Sequence, residues 1–426
     1  TVKGSVVQIA DSAEAFMEGL RIFGKSEQDG TPTPESPKEI KSIGGNGEVK
    51  VNINTGNLFP LNKFKGYEIN NSAKQITLNG DRISFTGKGT TGKEDMVFFL
   101  NKEADKLSLP PGKYTLSFKS NKPYGGTNGE NTVEMYLIVE KKSGTVYQST
   151  GNAGKRTVDI EDGDKMYFRF DINNNSMSAE LYDIMFNLGD TPLPYEPYAE
   201  QSLAIQTPDG LPGIPVTSGG NYTDSTGRQW VCDEICEQNG VIGVKRNVIN
   251  YKITGNEYAQ LDNPTTIGMR VEKIAKYPYT GFCNYAKMEG ATTTVSVGIS
   301  GNWVQIKNFG FNTVAGFKEW VKNNDVYLMY TLKEPTFEPL PEEIQQKFKS
   351  LHTYYPTTVV TNNANADMQL DYVADTKLYI DKKIKELVTA NIQKTANLLS
   401  LMPLSTQAAM IENGTNNILD NMEVEK

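Results

Sequence analysis

The sequence predicts a mainly β protein, built of antiparallel β-sandwich domains in tandem and followed by a C-terminal α-helical segment. Between residues 56 and 200, apolar side chains recur at every second position, as they do in strands with one buried face. Clusters of Gly, Pro, Asn and Asp separate these runs at the short spacing typical of antiparallel sandwiches. From Asp375 to Leu401 the apolar spacing changes to that of an amphipathic helix.

Alternation also assigns individual side chains to the buried face of the predicted sandwich. These are Ile83 and Phe85; Tyr114, Leu116 and Phe118; Val133, Met135, Leu137 and Val139; Met166, Phe168, Phe170 and Ile172; and Tyr182, Ile184, Phe186 and Leu188. Because strand side chains point alternately to opposite faces, Tyr167, Arg169 and Asp171 are predicted to face away from the core.

The 426 residues exceed the size of one ordinary domain, and changes in pattern divide them into four parts. We predict an N-terminal attachment segment (1–55), a β-sandwich (56–195), a second β-rich domain with two short helices (196–366) and a C-terminal helical oligomerisation segment (367–426). Six prolines between residues 191 and 215 predict a linker. In the first segment, Asp11–Glu14 fits a capping box and predicts a short helix through Leu20.

Local signals support the second β-rich domain. Asn239-Gly240 stands between two apolar-patterned runs and predicts a tight hairpin turn. Thr313 is expected to cap one helix, and Pro341 to lie in the first turn of the other.

Charge and composition argue against several kinds of partner. The net charge is −8, and the basic residues form no stripe of the kind that binds phosphates, so no nucleic acid is expected. The sequence lacks an apolar run of membrane-spanning length and a signal-peptide pattern, so no membrane insertion is expected.

The sequence contains an odd number of cysteines, Cys232, Cys236 and Cys283, which lack the spacing of metal ligands. The only histidine is His352. We therefore predict buried free thiols, no metal and no cofactor.

Catalytic motifs are not evident, and we predict no catalytic residue and no enzyme. The densest acidic cluster, Glu161–Asp164, does not match the spacing of a calcium loop and is interpreted as a hairpin turn. Glycan hydrolysis usually needs two opposed carboxylates, and no local motif indicates such a pair.

Four tyrosines are candidate ligand-binding residues, namely Tyr124, Tyr136, Tyr147 and Tyr167. Outward-facing tyrosine rings provide flat apolar surface on which sugars stack. The alternative is that they are ordinary strand-face residues.

The C-terminal helix carries a possible oligomerisation seam. Ile380, Ile384 and Leu387 follow 4-3 spacing, with Asn391 at the next seam position. This pattern predicts a coiled coil in a homotrimer. Alternatively, the stripe drifts through Val388 and Ile392 at period 3.6 and the helix packs on its own chain.

Several stretches, in this order, resemble tail proteins of siphophages and prophages of Firmicutes. They are Gly24–Pro34, residues 57–65, Leu109–Phe118, Gly189–Tyr198, Asn221–Glu234, Leu351–Val359 and Tyr372–Asp381. The second, third and fourth are similar to a jelly-roll-like carbohydrate-binding module carried by such phages.

The resemblance implies a structural or adhesion protein of the virion, which assembles in the host cytoplasm. Its expected partners are other tail or baseplate proteins and host cell-surface polysaccharide, and trimers are common in such tail fibres. Tail fibre, baseplate, minor tail and receptor-binding protein all remain open. The alternative function is a tail-associated polysaccharide-degrading enzyme. A bacterial surface adhesin is a third possibility, but the sequence has no sorting motif near Lys426.

Overall fold

A computed structural model gives the fold of the chain. It describes residues 2–372 apart from 11–14, 16, 46, 62–66, 71–74, 80, 87–94, 101, 104, 128–129, 175, 264–265, 271–280, 289–295, 301–302 and 308–309, together with residues 384–385, 387–389 and 391–394. The chain divides into two compact units, Thr1–Tyr372 and Val373–Lys426.

The first 55 residues contain β1 (Val2–Gly4), β2 (Val7–Ala10), β3 (Glu18–Phe23), β4 (Ser26–Gln28), β5 (Ile40–Ser42) and β6 (Gly47–Thr55). Then follow β7 (Tyr67–Asn70), β8 (Gln75–Asn79), β9 (Arg82–Thr86), β10 (Asp95–Phe99), β11 (Gly112–Ser120), β12 (Val133–Lys141), β13 (Gly144–Ser149), β14 (Lys155–Ile160), β15 (Lys165–Ile172) and β16 (Ala179–Leu188).

The next strands are β17 (Glu200–Thr207), β18 (Gly213–Val216), β19 (Tyr222–Thr223), β20 (Gln229–Cys232), β21 (Glu234–Gln238), β22 (Val241–Lys252), β23 (Ala259–Asn263), β24 (Thr266–Arg270), β25 (Gly281–Cys283), β26 (Ser296–Ser300) and β27 (Trp303–Lys307). The first unit ends with α1 (Val314–Lys322), β28 (Tyr327–Pro339), α2 (Glu342–Lys349), β29 (Thr357–Asn362) and β30 (Asp367–Asp371). This confirms the predicted mainly β, antiparallel class.

Three separate stretches of chain, residues 2–55, 200–252 and 327–371, build most of what we call the body, and β25 adds one edge strand from within residues 253–326. Its large sheet has the order β1-β30-β3-β21-β22-β28-β25, and a smaller sheet has the order β17-β6-β29-β2. The apolar faces of these strands share one core, which includes Ile22, Val51, Ile205, Val360 and Met368. The N-terminal strands, predicted to form a separate attachment segment over residues 1–55, thus share sheets with strands from the far end of the unit.

Part of the predicted N-terminal helix is wrong. Glu18–Leu20 belong to β3, which pairs with β30, while Asp11–Glu14 lie outside the described residues. Leu20 and Ile22 are both buried in the body core, so strand pairing decides the conformation against the local capping pattern.

Residues 56–199 are inserted between two neighbouring strands of the body. Strands β6 and β17 pair from Gly47 opposite Thr207 to Asn54 opposite Glu200. The inserted residues form the predicted β-sandwich, with one sheet ordered β13-β12-β15-β10-β7 and the other β14-β11-β16-β9-β8. Its core is rich in phenylalanine, and the rings of Phe99 and Phe170 meet edge to face at 5.0 Å.

Residues 253–326 form a second insertion, between the paired ends of β22 and β28. It contains the sheet β23-β24-β27-β26 and helix α1. As predicted, Thr313 caps α1, because its Oγ1 accepts a hydrogen bond of 3.0 Å from the Gly316 N–H. The predicted Asn239-Gly240 turn is also confirmed: both residues have positive φ, 52° and 81°, and join β21 to β22.

The predicted linker 191–215 is wrong for its second half. Glu200–Thr207 form β17, whose Leu203 and Ile205 are buried in the body core. At the other boundary, Asp367–Asp371 form β30 in the large sheet, so the second unit begins at Val373 and not at residue 367.

A polar cluster joins the hairpin of β19 and β20 to the body. The Lys25 ammonium lies 5.4 Å from the centre of the Trp230 ring and 3.6 Å from Asp224 Oδ2, and it also pairs with Asp367. Trp230 Nε1 donates a 2.9 Å hydrogen bond to Asp224, and the Tyr222 hydroxyl donates one to Asp367 at 2.9 Å. The cluster therefore fixes the hairpin by charge and by aromatic contact.

Within the second unit, residues 384–385, 387–389 and 391–394 are helical, as predicted. The predicted ends of this helix, Asp375 and Leu401, lie outside the described residues. Among the described residues, no helix has the length and apolar character to cross a bilayer.

Candidate functional site

Three of the four candidate tyrosines lie on the outer face of one sandwich sheet. The three tyrosines lie on adjacent strands, with β12 between β13 and β15. On β12, Met135 and Leu137 point into the core and Tyr136 points outward. In the antiparallel register, Tyr136 is opposite Arg169 on β15 and Ser149 on β13. Directly opposite residues of antiparallel strands share a face, so Tyr136 and Arg169 are neighbours on the outer surface.

The next row of this face is aromatic at both ends. Ile138 of β12 lies opposite Tyr147 on β13 and opposite Tyr167 on β15. Ile138 is fully buried although it does not face the sandwich core, whereas Tyr147 is 56% exposed. Burial, and then the Tyr147 side chain, raise the pKa of Tyr167, and the two tyrosines flank Ile138 on this face. We call the surface of Tyr136, Tyr147 and Tyr167 the tyrosine face.

Two charged residues, Arg169 and Glu134, contact the Tyr136 side chain. The Arg169 guanidinium carbon lies 3.8 Å from the centre of the Tyr136 ring, and Arg169 Nη2 pairs with the buried Asp171 carboxylate at 2.5 Å. The Tyr136 hydroxyl donates a 3.1 Å hydrogen bond to Glu134, which also accepts one from Ser149. Burial and the charge of Glu134 raise the pKa of Tyr136 to about 12, so its ring stays neutral near pH 7.

An ion-pair network borders the other end of the tyrosine face. Lys106 Nζ lies 2.8 Å from carboxylate oxygens of both Glu103 and Glu140, and 5.7 Å from the centre of the Tyr167 ring. Glu103 also pairs with Lys165. Hydrogen bonds from Lys106 and Lys165 lower the pKa of Glu103 to about 2, so this border stays ionised at neutral pH.

The resulting surface combines a flat aromatic strip with polar groups along its borders. Aromatic rings offer apolar contact to the C–H faces of a sugar, while the bordering carboxylates and ammonium groups can hydrogen-bond its hydroxyls. Such a surface suits a neutral polyhydroxylated chain lying along the sheet.

Tyr124 lies apart from this face and packs at the edge of the sandwich. Its hydroxyl donates a 3.0 Å hydrogen bond to the Phe118 carbonyl, and its ring meets that of Phe118 at 5.1 Å. The same ring covers Gly154, where a Cβ would lie 2.7 Å from it. Tyr124 therefore has a packing role in the fold, which accounts for most of its ring surface.

Sequence reasoning did not single out Arg169, Glu134 or Lys106 as parts of the site. The alternation places Arg169 and Tyr167 on one face of their strand, but it does not show which strand lies beside it. Register is set by pairings across the sheet, and these place Arg169 beside Tyr136.

The predicted oligomerisation residues are exposed where the structure describes them. Ile384 and Leu387 are more than half exposed, and Asn391 is also exposed; Ile380 lies outside the described residues. Val388 and Ile392, which mark the alternative stripe, are exposed by at least half as well.

The cysteines and the acidic cluster Glu161–Asp164 have roles in packing and in turn formation. Cys232, Cys236 and Cys283 are free and buried, as predicted. Asp164 Oδ2 accepts a 2.9 Å hydrogen bond from the Glu161 N–H and closes the predicted hairpin turn. Within the described part of the chain, no three His, Cys, Asp or Glu residues group as a metal site would require.

When the sequence was compared with protein-family models and with curated proteins, no match was found.

Proposed function

We propose that this chain is a structural and adhesive component of a bacteriophage tail, and that its sandwich binds host cell-surface polysaccharide through the tyrosine face. The observation that carries the proposal is the placement of Tyr136, Tyr147 and Tyr167 on adjacent strands of one outward face. Aromatic rings held by a sheet form a rigid platform, which binds a sugar chain with little loss of side-chain entropy.

The resemblance to tail proteins of Firmicutes phages supplies the setting of this proposal. Since β1, β2, β3 and β6 share sheets with later strands, we propose that the body as a whole, and not a separable N-terminal arm, attaches to other tail or baseplate proteins. The sandwich would then project from the body as the module that contacts the host.

We further propose that the chain assembles as a homotrimer through the C-terminal helix. The support is the exposed apolar stripe of Ile384 and Leu387, at the spacing of a coiled-coil seam. The described helix is short for a stable coiled coil, so contacts from the rest of the chain are expected to add to it.

Polysaccharide binding tests the main proposal. Purified cell-wall polysaccharides of Gram-positive bacteria are immobilised, and the binding of wild type, Tyr147→Ala, Tyr147→Phe and Tyr258→Ala is compared. Tyr147→Ala should weaken binding about tenfold, because it removes one stacking ring, while Tyr147→Phe keeps the ring and most of the affinity. Tyr258 is similarly exposed on the second insertion and is the matched control.

Two results would contradict the proposal. One is the absence of binding to every polysaccharide tested, and the other is equal binding by wild type and Tyr147→Ala. Release of reducing ends during the incubation would instead support the alternative, a tail-associated polysaccharide-degrading enzyme.

A further inference from the structure

A cavity of about 320 Å³ opens where the chain passes between the body and the sandwich. The segment that enters the sandwich contributes Phe59, and the segment that leaves it contributes Tyr195 and Tyr198. Both segments are among the stretches that resemble phage tail proteins, yet neither contributes to the tyrosine face. Their meeting at one cavity therefore needs its own explanation.

Asn57 fixes the walls of this cavity. Its side chain is 2% exposed and donates to the carbonyls of Ile184, at 2.9 Å, and Glu196, at 2.8 Å. Its Oδ1 accepts hydrogen bonds from the N–H groups of Phe59, at 3.0 Å, and Phe186, at 3.1 Å. One side chain thus joins the entering segment, the leaving segment and strand β16. The cavity is held in shape before any ligand arrives, which lowers the entropic cost of binding.

The side chains that line the cavity are mostly apolar or aromatic, and Asn57 and Asp81 add polar groups. Phe59 and Ile184 are buried beneath the cavity, and Tyr195 and Tyr198 are partly exposed at its sides. The Tyr198 hydroxyl donates to Glu200, which holds this side chain at the cavity wall. Burial and the nearby carboxylate of Asp81 raise the pKa of Tyr195, whose hydroxyl therefore stays neutral and able to donate.

Asp81 supplies an acceptor at the rim. It is the one charged residue among the described lining residues, and its side chain is about half exposed. Asp81 Oδ1 lies 3.9 Å from Arg82 Nε, so its charge is partly balanced, while its carboxylate still offers acceptor oxygens. A carboxylate beside aromatic rings suits a ligand with one apolar face and an edge of hydroxyl donors.

The volume is sufficient for one small ring. Ligand sites typically occupy about 300–1,000 Å³, and this cavity is at the lower end of that range. We infer that the cavity between Phe59, Tyr195, Tyr198 and Asp81 is a second carbohydrate site, which takes a single neutral hexopyranose unit. This inference shares the ligand class of the proposed function, but it does not depend on the tyrosine face.

Free monosaccharides test the inference with the full-length chain. D-glucose, D-galactose and N-acetyl-D-glucosamine are titrated in turn, and binding is followed by ligand-observed NMR. The variants are Tyr195→Ala, Tyr195→Phe and Asp81→Asn, with Tyr258→Ala as the matched control and Tyr147→Ala to report on the tyrosine face. Thermal unfolding of each variant shows whether the fold is retained.

We expect saturable binding of at least one hexose. Tyr195→Ala should weaken it about tenfold or more, Tyr195→Phe and Asp81→Asn should weaken it less, and Tyr258→Ala should leave it unchanged. Failure of all three sugars to bind the wild type would overturn the inference. So would a loss of binding in Tyr147→Ala that Tyr195→Ala does not show. Monosaccharide binding that persists when polysaccharide binding fails would overturn the proposed function alone.

Discussion

The guanidinium carbon of Arg169 lies 3.8 Å from the centre of the Tyr136 ring, at a position set by the pairing of β12 with β15. The same guanidinium pairs with Asp171, whose side chain is completely buried. Arg169 thus has two roles: its flat group supports one ring of the tyrosine face, and its charge compensates a carboxylate removed from water.

Arg169→Met should lower the free energy of unfolding by about 3 kcal/mol, because it leaves a buried carboxylate without its cation. Urea denaturation at pH 7 measures the change. Arg156→Met is the control, since Arg156 contacts Gln148 at an exposed position and should change the stability by no more than about 0.5 kcal/mol. If the two variants lost the same free energy of unfolding, the ion pair between Arg169 and Asp171 would not stabilise the fold more than an exposed contact does.

Asp224→Asn should lower stability at neutral pH, by about 1–3 kcal/mol, because hydrogen bonds to a charged acceptor are weakened. Burial raises the pKa of Asp224, but hydrogen bonds from Thr226 and Trp230 outweigh it and hold the pKa well below its usual range. A lowered pKa stabilises the folded state above the unfolded-state pKa of about 3.9, and this contribution disappears as pH falls through the folded-state pKa.

The difference between wild type and Asp224→Asn should therefore be full from pH 7 to about pH 5 and shrink below about pH 4. Denaturation curves at pH 7, 5 and 3 follow it. The control is Asp159→Asn, at an exposed ion pair with Lys113. A difference that stays constant over this range would exclude a role for the Asp224 charge.

Asn57→Leu should lower the free energy of unfolding by about 2–4 kcal/mol, since two buried carbonyls and two N–H groups lose their partner. Asn52→Leu is a matched control, because the Asn52 side chain accepts a hydrogen bond from Ser202 at an exposed contact. If Asn57→Leu unfolded at the same urea concentration as wild type, the hydrogen bonds of Asn57 would not hold the two segments together.

Removal of residues 373–426 should convert the proposed trimer to a monomer. The cut follows Tyr372, because an earlier cut after residue 366 would also delete β30 from the large sheet. Light-scattering mass at micromolar concentration measures the result, with the double variant Ile384→Asp, Leu387→Asp as a second test of the seam. A wild-type monomer would contradict the trimer; a trimer that survives both changes would exclude the helix as its cause.

Alternation alone found five of the ten strands of the sandwich, namely β9, β11, β12, β15 and β16, because each has one face in a phenylalanine-rich core. It failed within β16, where Tyr182 was predicted to share the buried face with Ile184. Asp183 has a positive φ of 49° there, and the pairing with β11 shifts. Leu181 and Ile184 both point inward as a result, and Tyr182 packs instead beneath the Arg82 guanidinium, 4.9 Å from its ring centre.

Long-range pairing was the part that the sequence did not reveal. Strand β17 follows a proline-rich stretch, and its partner β6 lies about 150 residues earlier, so the local pattern predicted a linker. For the same reason, the sequence predicted only part of the tyrosine face. Its rings stand out as exposed aromatics in alternating strands, while Arg169 and Ile138 belong to it only through register.

The insertion of residues 56–199 between two paired strands of the body allows this segment to be exchanged during evolution. They leave the end of β6 and return at the start of β17, so the two junctions lie side by side on paired strands. A recombination event that replaces the coding segment between these junctions exchanges one sandwich for another and keeps every strand pair of the body. We expect relatives with the same body and unrelated inserted modules; under the proposed function, the surface that contacts the host would then change without any change in the body.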